Sequence, residues 1–295
     1  MGGRRVSVSD RPAASDAAPL TTVRDRGGLW SFELHGETSA DLALVLLPAM
    51  GVPAHYYDPL VDELLAQGVA VVRADFLAER VERDRSRRPD GFAALVEECL
   101  PAIFEVLRER IPGAKPMIVG HSLGGQLGLV AAARFAPETP VVLAASGSAW
   151  HGAFGGGRRW LYLVGSAGIG VIARLLGHWP GDTLGFGGRQ PQAVIRDWSR
   201  VVGTGRYVAA TGTFDYDAIL ADYRGEVLTI DVEHDVLAPV AATDALLAKT
   251  PRARVTRHPH TPARGTAKPG AHFTWVRERA GLAFVIVTWA RSLDD

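Results

Sequence analysis

The residues best placed to do chemistry lie at Gly120-His121-Ser122-Leu123-Gly124. A short apolar run, Met117-Ile118-Val119, ends there, and a helix-like segment from Gln126 to Phe135 follows at once. This is the G-x-S-x-G elbow, in which a strand turns sharply into a helix and presents the serine hydroxyl at the apex. Side chains at positions 120 or 124 are expected to collide with the neighbouring strand or helix, which accounts for the glycines.

A serine hydroxyl is a poor nucleophile until a base takes its proton during attack. That base is normally a histidine, held in the right tautomer by a buried carboxylate. In an elbow architecture the chain order is serine, acid, histidine, and both partners sit on loops after late strands. The strand-like run Val227–Val232 leads into Glu233-His234-Asp235-Val236-Leu237-Ala238-Pro239. Asp235 is the chosen acid, because it lies past the strand end and a proline follows before the next helix. Asp231 and Glu233 remain alternatives, the first inside the strand and the second structural. His272, in Gly270-Ala271-His272-Phe273, opens the last helix and is the chosen base. His258, His260, His121 and His234 compete with it. His258-Pro259-His260 lacks a third ligand at useful spacing, so no metal is expected.

Attack on a carbonyl creates an oxyanion, and each backbone N–H aimed at it contributes roughly 3–4 kcal/mol of transition-state stabilisation. One donor is expected to be Leu123, the residue after the nucleophile, at a helix N-terminus whose dipole favours negative charge. The other belongs to the loop Pro48-Ala49-Met50-Gly51-Val52-Pro53, and Met50 is assigned.

Strand-like and helix-like segments alternate, which implies a mostly parallel sheet covered by helices. Leu29–Leu34 belongs to an opening antiparallel hairpin. Leu42–Leu47 is continuously apolar, as for a strand buried on both faces. A helix at Tyr57–Gln67, a strand at Val69–Phe76, a polar mixed-charge stretch at 79–90 and a helix at Phe92–Arg110 follow. After the elbow come strands at Val141–Ala145, Val227–Val232 and Arg254–His258, with helices near Ala241–Ala248 and Phe273–Arg291. Residues 148–225, rich in glycine and aromatics, are far longer than a crossover needs and read as an inserted lid or cap. The domain reading is a disordered leader at 1–19, a core at 20–147 and 226–295, and the 148–225 insertion.

Composition excludes several classes. Equal counts of 32 basic and 32 acidic residues argue against nucleic acid as the main partner, since that binding needs a basic face. One cysteine, Cys99, rules out an internal disulfide framework and reads as a small apolar core residue. The N-terminus has no apolar signal region, so a cytoplasmic location is expected. The longest apolar run, Trp160–Ala173, is too short to span a bilayer, so no stable membrane insertion is expected.

Taken together, these residues resemble the α/β-hydrolase superfamily. More narrowly, the chain is similar to a bacterial group of predicted serine hydrolases with Pro-Ala-Met-Gly in place of the usual His-Gly oxyanion loop. The matching segments are Pro48–Pro53, Gly120–Gly125, and Trp179-Pro180-Gly181-Asp182-Thr183-Leu184-Gly185-Phe186-Gly187-Gly188 with Trp198 beyond. The resemblance spans roughly residues 40 to 290 and implies an α/β-hydrolase fold. Two departures stand out. Relatives commonly carry an Asp-x-Arg-Gly turn where this chain has Asp75-Phe76-Leu77-Ala78-Glu79, at the active-site entrance. The polar run Pro259–Gly270 is additional and reads as a flap.

The expected activity is hydrolysis of a carboxylic ester or related acyl group, with Ser122 as nucleophile, His272 as base and then acid, and Asp235 as orienter. No cofactor is needed. The aromatic lid suggests an apolar small-molecule substrate. Passage of the same acyl group to an acceptor other than water, and a non-hydrolytic binding or pericyclic-type scaffold, are the alternatives.

Overall fold

The computed structural model describes residues 21–24, 31–73, 91–208, 214–262, 270–277 and 281–294. The expected leader, the 79–90 stretch, the Asp75–Glu79 departure and residues 263–269 of the expected flap lie outside the described residues.

Strands β1 (Thr21–Arg24) and β2 (Ser31–His35) form the opening hairpin. Strand β3 (Leu42–Leu47) is buried along its whole length, as its uninterrupted apolar sequence requires. Helix α1 (Asp58–Leu65) and strand β4 (Ala70–Arg73) follow. The helical segment expected at Phe92–Arg110 exists but is not regular. A π-type turn at Ala94–Cys99 precedes helix α2 (Leu100–Arg110). Pro101 has no N–H to return to the carbonyl one turn earlier, and a proline inside a helix is relieved by such local widening. Cys99 is buried here, in agreement with the core reading.

Strand β5 (Lys115–His121) runs into helix α3 (Leu123–Phe135) through Ser122 alone. Strand β6 (Val141–Ala144) leads into a long connection to the strand at Glu226–Val232, called the insertion below. That insertion holds helix α4 (Arg158–Leu176), the ribbon β7 (His178–Pro180) and β8 (Gly188–Pro191), and helices α5 (Gln192–Thr204) and α6 (Tyr216–Asp222). Strand β9 (Glu226–Val232), helix α7 (Val240–Leu247) and strand β10 (Arg254–His260) return to the sheet. The expected last helix is not one regular element: a single α turn at Ala271–Thr274 carries His272 and passes into a 3-10 turn at Trp275–Arg277, and helix α8 covers Gly281–Arg291.

The main sheet has eight strands in the order β1-β2-β4-β3-β5-β6-β9-β10. From β4 to β10 all neighbours are parallel, and β1 and β2 are antiparallel additions at one edge. Alternation along the strands splits the core in two. Ala43, Val45 and Leu47 face α2 and α3, together with Ile118 and Leu143. Leu42, Leu44 and Leu46 face α1, Trp275 and α8, together with Val119 and Ile230. The register aligns the strand ends: Leu47 pairs with Gly120, His121 with Ala144, Ala144 with Ile230, and Val232 with His260. The loops after β3, β5, β6 and β9 therefore leave the same edge, and a parallel sheet is where that convergence is enforced.

Candidate active site

Ser122 is the one residue between β5 and α3, and its backbone is strained, with φ 52° and ψ −117°. A residue with a side chain pays to sit there, and the surroundings must hold it. Its carbonyl takes three donors: Ser146 Oγ at 2.7 Å, Gly125 N–H at 3.1 Å and Gln126 N–H at 3.2 Å. A Cβ on Gly120 would run into the Gly125 backbone, and one on Gly124 into the Leu47 carbonyl. Both collisions were expected from sequence. Gly125 is equally constrained, since its Cβ would overlap Ser146 Oγ.

Asp235 lies three residues beyond β9, buried, and Asp231 lies inside that strand, bonded to Thr229 and paired with Arg257. Asp235 Oδ1 accepts from Leu237 N–H at 2.8 Å and Ala238 N–H at 2.9 Å. Its other oxygen, Oδ2, lies 2.7 Å from His272 Nδ1, and both side chains are buried. The proton on that bond belongs to Nδ1, because the carboxylate has only lone pairs to offer. Nε2 of His272 is thereby left with its lone pair free for a proton. Ser122 Oγ makes no hydrogen bond to this ring among the described residues; the ring packs against the elbow's His121, with centroids 4.9 Å apart. Catalytic contacts of this kind commonly tighten only when substrate binds.

The remaining histidines go elsewhere. His234 is exposed beside Glu233, and His258 and His260 lie on β10. No group of three or more His, Cys, Asp or Glu side chains able to hold a metal occurs among the described residues.

His121 has a role that sequence reasoning missed. Ala49 N–H donates to Tyr57 Oη at 2.9 Å, and Tyr57 Oη lies 2.7 Å from His121 Nδ1. His121 Nε2 in turn lies 2.8 Å from the carbonyl of His272. A carbonyl only accepts, so Nε2 carries the proton, Nδ1 accepts, and Tyr57 donates to it. Burial, reinforced by the neighbouring His272, holds His121 well below the ordinary imidazole range, and the neutral tautomer follows. One buried chain thus ties the loop after β3 to the backbone of His272. The sequence signal was slight, a tyrosine at a helix start and a histidine inside the elbow.

The loop after β3 bends at Met50-Gly51, where Val52 N–H reaches the Ala49 carbonyl at 3.0 Å. Ala49 N–H is spent on Tyr57, whereas neither Met50 N–H nor Leu123 N–H has a partner among the described residues. Gly51, at φ 74°, is pressed by the insertion: its Cβ would overlap the Gly187 carbonyl, and a Cβ on Gly188 would stand 2.7 Å from Gly51 Cα. The β7–β8 ribbon is itself tied by Trp179 Nε1 donating to the Phe186 carbonyl at 2.7 Å. The two segments Pro48–Pro53 and Trp179–Gly188 therefore meet backbone to backbone. Helix α4 reaches the acid loop as well, with Tyr162 Oη 3.4 Å from the Val236 carbonyl. Burial and the nearby Asp235 charge push the Tyr162 phenol up to about 12.

An apolar groove of about 350 Å³, lined in part by Ala43, Phe104, Pro116 and Phe135, opens at the amino-terminal edge of the sheet. It lies opposite the elbow, and the chemistry does not belong to it.

A family model described as "Alpha/beta hydrolase family" matches residues 44–285. Among solved structures, the esterase domain of a Rhodothermus marinus protein is 16% identical with a TM-score of 0.55, over 93% of this chain and 98% of that one. The enol-lactonase from Burkholderia xenovorans LB400 is 18% identical with a TM-score of 0.54, over 92% of this chain and 100% of its own. A thioesterase domain from the curacin biosynthetic pathway is 15% identical with a TM-score of 0.54, over 92% and 100%. At such identities the likeness is one of fold. None of the curated proteins compared with the chain matches it in sequence.

Proposed function

The chain belongs to the alpha/beta hydrolase family and is an enzyme of hydrolase type, and on that premise we propose that it cleaves a carboxylic ester or related acyl substrate through an acyl-enzyme on Ser122. The observation that carries this reading is the 2.7 Å bond from His272 Nδ1 to an Asp235 carboxylate whose other oxygen is already held by two backbone amides. A carboxylate fixed in that way fixes the ring, and in this reading the ring's free Nε2 serves Ser122.

In the proposed sequence Ser122 Oγ attacks the acyl carbon while Nε2 takes its proton. The tetrahedral oxyanion is received by the Met50 and Leu123 amides, the two N–H groups left unspent beside the elbow. Collapse expels the alcohol or thiol, which takes the proton from His272. Water repeats the attack on the acyl-serine, again losing its proton to Nε2, and the acid leaves with Ser122 regenerated. Asp235 stays ionised throughout and stabilises the imidazolium.

Within the family we assign the chain to the bacterial group whose oxyanion loop reads Pro-Ala-Met-Gly, supported by the contact of Gly51 with Gly187 and Gly188, which joins two of its motifs. The insertion serves as a lid in this reading, and its richness in aromatic residues favours an apolar acyl or alcohol group. A fluorophosphonate probe tests the proposal. It should label the native protein and not Ser122→Ala, and turnover of p-nitrophenyl esters should fall by about 10⁴-fold or more in Ser122→Ala and His272→Ala. Near-normal turnover in either variant removes that residue from its role.

A further inference from the structure

Helix α4 is the most conspicuous surface of the molecule. Its inner side is fastened to the insertion: Ser166 and Ala173 are buried, and Ser199 Oγ donates to the Ser166 carbonyl at 3.2 Å. Its outer side is apolar and open. Leu161, Val164, Gly168, Val171 and Leu175 recur at alternating steps of three and four, so they form one stripe along the helix. Leu161 is 71% exposed and Leu175 is 78% exposed, with Trp160 and Leu176 flanking the stripe. At 1.5 Å per residue, the stripe is about 21 Å long. Large apolar side chains left in water along one line mark a surface that is covered by something.

Charge decides what covers it. Arg158–Leu176 contains three arginines, Arg158, Arg159 and Arg174, and no Asp or Glu. None of the three pairs with a carboxylate among the described residues; Arg159 lies over the Trp160 ring at 4.8 Å. A second copy of this helix laid along the stripe would bring arginines to arginines with no acid on the helix to offset them. A surface of anionic lipid headgroups meets the same pattern with complementary charge at both ends and acyl chains under the stripe. The helix is also 19 residues long, with a mean hydropathy of 1.3 over its most apolar 18-residue window. With its inner face packed on α5, it can lie in the interface but not cross the bilayer.

We propose that α4 docks this protein reversibly on an anionic membrane surface, with Trp160, Leu161, Val164, Val171 and Leu175 entering the headgroup–acyl boundary and Arg158, Arg159 and Arg174 meeting lipid phosphates. This goes beyond the hydrolase reading and does not depend on it. Flotation of the full chain with vesicles tests it. The protein should float with phosphatidylcholine–phosphatidylglycerol vesicles in equal parts and stay behind with pure phosphatidylcholine. Val164→Asp with Leu175→Asp should abolish flotation, and each Arg→Gln change should weaken partition about fivefold. These side chains are exposed, so thermal melts should be unchanged in the variants. Ser122→Ala should float like the native chain, which separates failure of the surface from failure of the active site. Lipids brominated on their acyl chains should quench tryptophan fluorescence in the native protein and less so in Trp160→Phe. Flotation with neither vesicle, or equally with both, overturns the proposal. So does a concentration-dependent dimer that Val164→Asp dissolves, since the stripe then belongs to a second copy.

Discussion

Of the three donors on the Ser122 carbonyl, the Gly125 and Gln126 amides are those any helix start supplies, and Ser146 Oγ is the one brought from the next strand's loop to hold a strained residue. Around it, the Ala49–Tyr57–His121–His272 chain is a second support, reaching the base through its backbone rather than its ring. Tyr57→Phe and His121→Gln should therefore lower kcat about ten- to a hundredfold while leaving KM nearly unchanged, because they loosen the loop after β3 and the His272 backbone without touching substrate. Steady-state kinetics on one soluble ester checks this, and a change confined to KM would contradict it. The place of Ser122 between β5 and α3, and the meeting of Asp235 with His272, could be anticipated because elbows, strand ends and loop-to-helix junctions are local information. Tyr57 and Ser146 were not legible. Their partners are 64 and 24 residues away, and no short-range pattern marks a side chain whose value is a long-range bond.

Among the elements, the β7–β8 ribbon gives the insertion a mechanical task. It brings Gly187 and Gly188 against Gly51, next to the Met50 amide proposed as a donor. Gly187→Ala should displace that loop, both because φ is 70° there and because the added Cβ would stand 3.1 Å from Met50 Cε. The expected loss in kcat is about 10²- to 10³-fold, the value of one misaimed oxyanion donor. Labelling by a fluorophosphonate should slow in parallel. Unchanged rates in both assays would mean that the ribbon only covers the site. Strands such as β3 were readable to the residue because burial on both faces leaves an unbroken apolar run. The helix expected at 92–110 was placed correctly but not its π turn, since a pattern of apolar positions does not report how Pro101 is accommodated. The final helix was read as one regular helix although its first part changes to a 3-10 turn at Trp275–Arg277, because that turn and α8 both bury apolar residues on the same face of the sheet.

At the scale of the molecule, two cores cover the faces of the main sheet, a small third cluster of Ala173, Trp179 and Ile195 lies in the insertion, and the loops that carry the proposed site gather at the carboxyl edge, where stability carries a proton signature. His121 is buried neutral, facing Tyr57, the His272 carbonyl and the rings of Phe273 and Trp275, with no carboxylate among these neighbours. Its imidazole is held below the ordinary value of 6.5, so the unfolded chain binds a proton that the folded chain does not. Stability from this residue is complete above that pH and falls as pH drops below it, by up to about 1.4 kcal/mol per pH unit. His35 and His258 are lowered in the same direction, so the contribution of His121 is the part of the acid-side slope that His121→Gln removes. Urea melts between pH 5 and 8 measure it; an unaltered slope in the variant would contradict the buried neutral ring. The central claim is tested most directly by acid-quenching the native enzyme during turnover of a p-nitrophenyl ester and locating the trapped acyl group by peptide mass. The account predicts the acyl mass on the peptide containing Ser122, appearing in step with the burst of nitrophenol. Full turnover with that peptide unmodified at every quench time would contradict it.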